Sequence, residues 1–182
     1  MKLSSEKEYK FKTLPYEHQK EAINQAYQKD AYAFFMEMGT GKSKVCIDDI
    51  CIAFEEGQIN CAVIVAPKGV YRNWSQLELL KHVPDHIDKD IITWSPANTA
   101  KNKKELRKLF MKNDKLKFFV INVEAFRTRK ALDFTKKVLE ANECAFAIDE
   151  STVIKNPQAL QTKNILSLRK LAKQRRILSG LP

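Results

Sequence analysis

The stretch FFMEMGTGKS at residues 34–43 constrains this chain more than any other part of it. An apolar run ends abruptly in Gly39-Thr40-Gly41-Lys42-Ser43, and a helix-patterned segment follows at once. That is how a phosphate-binding loop is built. Small glycines let backbone N–H groups curl around phosphate oxygens, a lysine neutralises terminal phosphates and a hydroxyl ligates Mg²⁺. The common form of the loop has a glycine five residues before Gly41, where this chain has Met36. Taken alone, the tripeptide also suits a glycine turn ahead of a surface helix, so the surrounding pattern has to decide.

That pattern alternates. Pro15 suits a first helical turn, and Gln19, Ala22, Ile23, Ala26 and Tyr27 then follow helical spacing, with Gln19 at the N-terminal end of the inward face. Its amide is either a partly exposed first-turn group or a reader of a base edge. Residues 31–36 read as a buried strand feeding the glycine loop. The helix after Lys42 presents Ile47, Ile50, Cys51 and Phe54 on one face and ends at Gly57. CAVIVA at 61–66 is a strand covered on both faces and stopped by Pro67. The spacing further predicts a helix over 71–81, a short strand over 90–94, a basic amphipathic helix over 103–112 and a buried strand over 117–122. A helix over 131–141 and a strand over 144–148 follow, and that strand runs straight into Asp149-Glu150. Strands alternating with helices predict an α/β domain of three layers, with a mainly parallel sheet and helices on both faces. The functional edge of such a sheet lies at the strands' carboxyl ends, where Gly39, Pro67, Asn122 and Asp149 fall.

At 182 residues the chain can bury one core without disulfide or metal staples. Its 44% hydrophobic and 30% charged content is that of a globular protein rather than a disordered one. The net charge of +10 suggests a polyanionic partner. Residues 101–117 carry eight basic and two acidic side chains, and 155–176 seven basic and none acidic. The first of these runs is either a solvated face or a phosphate-facing surface. No apolar run approaches the ~20 residues of a membrane span, and the N-terminus lacks an apolar targeting core, so a cytoplasmic protein without a membrane partner is expected. Cys46, Cys51, Cys61 and Cys144 sit among apolar neighbours and read as buried free thiols. Pro84 separates His82 from His86 and interrupts any helix that would aim both at one metal. Residues 1–13, polar and lysine-rich, read as an arm or cap ahead of a domain over 14–182.

An acidic pair after a buried strand completes a phosphate-loop site, one carboxylate holding the Mg²⁺ shell and the next polarising the attacking water. Asp149-Glu150 has that placement, although two solvated carboxylates in a strand-end turn would also have it. Six segments then stand in order: LPYEHQ at 14–19, EMGTGKS at 37–43, VIVAPKGVYRNW at 63–74, VINVEAF at 120–126, IDESTVIKNP at 148–157 and RRILSGLP at 175–182. Together they resemble the first RecA-like lobe of superfamily 2 helicases and translocases, within them the Swi/Snf-type ATPases, with IDESTVIKNP similar to their DExx box.

The resemblance implies ATP and Mg²⁺ as cofactors. It implies Gln19 at the adenine, Met38, Gly39, Thr40 and Gly41 in the loop, Lys42 at the β and γ phosphates, and Ser43 with Asp149 on Mg²⁺. Glu150 would activate water, and Lys68 and Asn122 would contact nucleic acid along the sheet edge. The implied partner is duplex DNA, moved along without strand separation; no oligomer is implied. Four positions depart from the family pattern: Met36 replaces an aspartate, Thr152 a histidine and Leu181 a threonine, and the glutamate expected three residues after Trp74 gives way to Leu77, with Glu78 next. The second lobe is expected to lie outside these residues. Its arginine would be worth roughly 10³ to 10⁵ in rate, so weak ATP binding and very slow hydrolysis are expected of the 182 residues alone. The rival expectations are another phosphate-loop enzyme, such as a small-molecule kinase, and a non-catalytic nucleic-acid-binding module.

Overall fold

The computed structural model of the chain describes residues 3–4 and 8–180, apart from the side chains at 151 and 153. Six strands, β1 Ala31–Phe35, β2 Cys61–Ala66, β3 Lys89–Thr93, β4 Leu116–Asn122, β5 Cys144–Ile148 and β6 Gln174–Ser179, form one sheet. Their order is β1-β6-β5-β2-β4-β3, and every pairing is parallel. Parallel neighbours need crossover connections. The helices are α1 Glu17–Ala26, α2 Lys42–Glu55, α3 Tyr71–Asn73, α4 Leu79–His82, α5 Ala100–Arg107, α6 Arg129–Ala141 and α7 Leu160–Leu168.

Strand alternation builds two cores from one apolar run. Ala62, Ile64 and Ala66 of β2 join a cluster with Ile23 of α1 and with Ile47 and Ile50 of α2. Cys61, Val63 and Val65 join the opposite cluster with Val138 of α6 and Ile165 of α7. With helices on both faces, nothing along CAVIVA needs to be polar. Truncating Ile47, fully buried in the first cluster, to alanine costs about 2–5 kcal/mol.

Helix α2, which begins at the glycine loop, is buried along most of its length, and its two buried carboxylates are paired with cations. Lys44 Nζ lies 2.5 Å from Asp48 Oδ2, and Arg176 of β6 donates to Asp49 Oδ2 at 2.7 Å. Leu3 and Tyr9 pack into the same cluster as α2, and the Tyr9 hydroxyl donates to Asp48 Oδ1 at 3.2 Å. Lys12 Nζ then reaches the Leu80 carbonyl at 3.0 Å and Asp85 at 2.6 Å.

The structure differs from the sequence pattern in four places. The strand expected to be buried over 31–36 is β1, an edge strand in which Phe34 alone is buried and Phe35 is exposed. The basic helix expected over 103–112 starts at Ala100, because Thr99 Oγ1 accepts from the Asn102 amide at 3.1 Å; it tightens to a 3₁₀ turn at Lys108–Phe110, which buries Leu109. The helix expected over 71–81 contains a π-turn, Trp74–Glu78, between α3 and α4. Strand β6 and helix α7 had no expected counterpart. The basic run over 155–176 masks them, since β6 carries Arg175 and Arg176 and tolerates the second only through its ion pair with Asp49.

Candidate active site

The glycine loop leaves β1 at the carboxyl edge of the sheet. Gly39 and Gly41 have φ of 81° and 85°, a left-handed region that costs other residues about 1–2 kcal/mol. Gly41 also caps α2, so the positive end of that helix opens at the loop. A Cβ at Gly41 would also meet Gln19 Nε2 at 2.4 Å, so the Gln19 amide would have to move. Gln19, 3% exposed, donates through Nε2 to the Thr40 carbonyl at 2.8 Å and accepts from the Tyr16 amide at 3.0 Å. The Gln19 amide thus ties α1 to the loop.

Lys42 Nζ lies inside the turn, donating to the Met36 and Glu37 carbonyls at 3.1 Å each. The Met36 side chain packs against the core, so the departure at that position presents the loop with a backbone carbonyl alone. Ser43 follows in the first turn of α2.

Asp149 comes after β5, separated from β1 by β6 alone. Its amide continues the ladder by donating to the Val65 carbonyl at 2.8 Å, and its Oδ2 accepts from Trp74 Nε1, also at 2.8 Å. Burial pushes the Asp149 carboxyl above the ordinary carboxylate value; the Trp74 bond opposes that rise and the charge of Glu150 adds to it. Glu150 has φ of 51°, a conformation that persists in non-glycine residues where the surroundings enforce it, often at functional sites.

One cleft of about 860 Å³ brings these groups together: Gln19, Met38, Gly39, Thr40, Gly41, Lys42, Ser43, Asp149 and Glu150 all line it. Lys68 and Asn122 do not. They lie farther along the same edge, Asn122 at the end of β4 in register with Ala66, and Lys68 two residues beyond Ala66 and exposed. Thr152 is exposed as well, and Leu181 lies outside the described residues.

Two residues of the cleft region carry more than the sequence indicated. Trp74 stands at the end of a motif, but 75 positions separate it from Asp149; only the adjacency of β2 and β5 brings them together. Gly180, directly after β6, sits against the glycine loop: a Cβ there would lie 3.2 Å from Met38 Cγ and 3.7 Å from Lys42 Nζ.

The donor set suits a nucleotide with its metal. The helix N-terminus and Lys42 offer positive charge to phosphate, the left-handed Gly39 and Gly41 curl the loop backbone ahead of that helix, and Ser43 and Asp149 are hard oxygen donors suited to Mg²⁺.

Sheet order, glycine loop and acidic pair define a RecA-like α/β domain. Residues 18–182 match the SNF2-related domain, and the chain belongs to that family. No curated protein sequence gives a significant match. Among solved structures the chain is similar to the Sulfolobus solfataricus SWI2/SNF2 ATPase core in complex with dsDNA, at 20% identity and a TM-score of 0.65, over 97% of this chain and 34% of that one. It is similar also to the UvsW helicase from bacteriophage T4, at 13% identity and a TM-score of 0.64, over 91% of this chain and 52% of that one. The chain therefore spans about a third to a half of the length of these structural relatives.

Proposed function

We propose that the chain is the ATP-binding lobe of a DNA-dependent ATPase, a helicase or double-stranded DNA translocase, with residues 14–182 as the lobe and 1–13 as an arm or cap. The observation that carries this is the convergence of Lys42, Ser43, Asp149 and Glu150 on one cleft, from two strands separated by a third. In this reading Lys42 and the loop amides bind the β and γ phosphates, Ser43 and Asp149 hold Mg²⁺, Glu150 orients and deprotonates water, and Gln19 meets the adenine. Mg²⁺ supplies charge neutralisation of the phosphates when bound. An arginine from a second lobe completes the transition-state contacts, so the 182 residues alone bind nucleotide but turn it over very slowly.

Duplex DNA is the proposed partner, with Lys68 and Asn122 toward its backbone; the DNA in the Sulfolobus complex and the basic balance of this chain support that. No helix among the described residues is long and apolar enough to cross a membrane, and the cytoplasm is the proposed compartment. Titrating a fluorescent ATP analogue with Mg²⁺ into the wild type and Lys42→Ala tests the nucleotide assignment. Saturable binding that weakens at least about tenfold in the variant is expected, a loss of about 1.4 kcal/mol. Equal binding by both proteins would remove Lys42 from the site.

A further inference from the structure

We propose that Trp74 is a positioning residue for the metal-binding carboxylate: its indole N–H, carried by the first residue of the π-turn Trp74–Glu78, holds Asp149 in the orientation that binds Mg²⁺. This rests on the assignment of the cleft to ATP with Mg²⁺.

The π-turn is the first observation. The Leu79 amide donates to the Trp74 carbonyl, closing an i→i+5 turn of the kind found mostly at functional sites. One extra residue in the turn lets Trp74 and Leu79 point the same way, and both are buried, at 2% and 0% exposure. The surplus is carried by the outer side, where Leu77 is 55% exposed. The same insertion accounts for the displaced glutamate. Glu78 stands one place later than the family pattern implies, yet it lines the cleft with Trp74 and Asp149.

The second observation is the contact. A buried ring on the first-cluster side of the sheet places its only polar atom 2.8 Å from Asp149 Oδ2. An indole N–H is a donor only. It therefore fixes a carboxylate as an acceptor, and it takes one of about four lone-pair sites, leaving the rest for a cation. Groups that orient metal ligands in this way typically change metal affinity 10- to 100-fold when removed.

Trp74→Phe keeps the buried ring and deletes the N–H. With a fluorescent ATP analogue present, the Mg²⁺ concentration needed for half-maximal tightening is expected to rise about 10-fold or more in this variant, well beyond any change in Mg²⁺-free nucleotide affinity. A thermal melt establishes that the variant is folded. A second measurement needs no change at Trp74. In ¹⁵N-labelled protein the Trp74 indole resonance, told apart from that of Trp94 by Trp94→Phe, is expected to shift when Mg²⁺ is added to the nucleotide-bound form. An unchanged Mg²⁺ dependence in Trp74→Phe, or an indole resonance indifferent to Mg²⁺, would overturn the proposal while leaving the ATP assignment standing. A wild type that binds no nucleotide at all would overturn both.

Discussion

At the scale of single residues, two positions test how tightly the site is built. Gly41 combines a left-handed backbone with direct contact to Gln19, whereas Gly57 has φ of 68° and nothing within 4 Å of the place a Cβ would take. Gly57→Ala is expected to cost about 1–2 kcal/mol of stability and leave nucleotide binding alone. Gly41→Ala is expected to cost at least as much, break the Gln19–Thr40 bond and lower nucleotide affinity; thermal melts and analogue titrations on the pair separate the two effects. Asp48 and His82 act in opposite directions on the acid side of stability. Burial pushes the Asp48 carboxyl up to about 6, so its stabilising proton is held in full below about pH 4 and lost as pH rises through 6, an effect on the order of 2–3 kcal/mol. His82, 2.7 Å from Thr13 Oγ1, is held down to about 4, chiefly by burial and then by Lys44, Lys81 and Lys12. Its contribution has the opposite sign, present above its ordinary value of 6.5 and lost as pH falls toward 4. Asp48→Asn removes the falling slope, so the melting temperature of the variant is expected to climb more steeply between pH 4 and 6.5 than that of the wild type. Parallel profiles would show that Asp48 does not titrate in this way.

At the scale of elements, the π-turn makes a clear prediction. Deleting the exposed Leu77 leaves Trp74 and Leu79 four apart, still on one helical face, so a regular helix is expected with the melting temperature changed by no more than about 4 °C. Leu77→Pro, by contrast, is expected to cost about 3 kcal/mol. A red-shifted tryptophan emission in the deletion would mean that Trp74 had left its burial site and that the extra residue is needed for packing. The same elements show what can be read from a sequence. Strands β2, β4 and β5 were legible because burial on both faces leaves continuous apolar runs, and the loop and Asp149-Glu150 were legible because chemistry collects at strand ends. Strand β6 was hidden by its arginines, whose accommodation depends on Asp49 of α2. The π-turn was hidden because an inserted residue on an exposed side leaves the helical pattern intact on either flank. Gln19 was legible as an inward amide, but its partner, a loop carbonyl, follows from the approach of α1 to Gly41.

At the scale of the molecule, one edge of a parallel sheet gathers the glycine loop and the acidic pair on the side of β1, β6 and β5, and Lys68 and Asn122 beyond β2 and β4. If that edge meets the backbone of duplex DNA, a lobe neutralising about three phosphates loses on the order of 40-fold in affinity between 50 and 200 mM salt. Lys68→Ala is expected to lower that slope by about one phosphate; a salt-independent affinity would remove DNA from the proposed function. In that function the strand-end carboxylate and the glycine loop form one Mg²⁺–nucleotide site. The most direct test is to measure ATP-analogue affinity with and without Mg²⁺ in the wild type and Asp149→Asn. Mg²⁺ is expected to tighten binding in the wild type and to have little effect in the variant, with Mg²⁺-free affinity similar in both. Equal tightening by Mg²⁺ in the two proteins would refute the shared site.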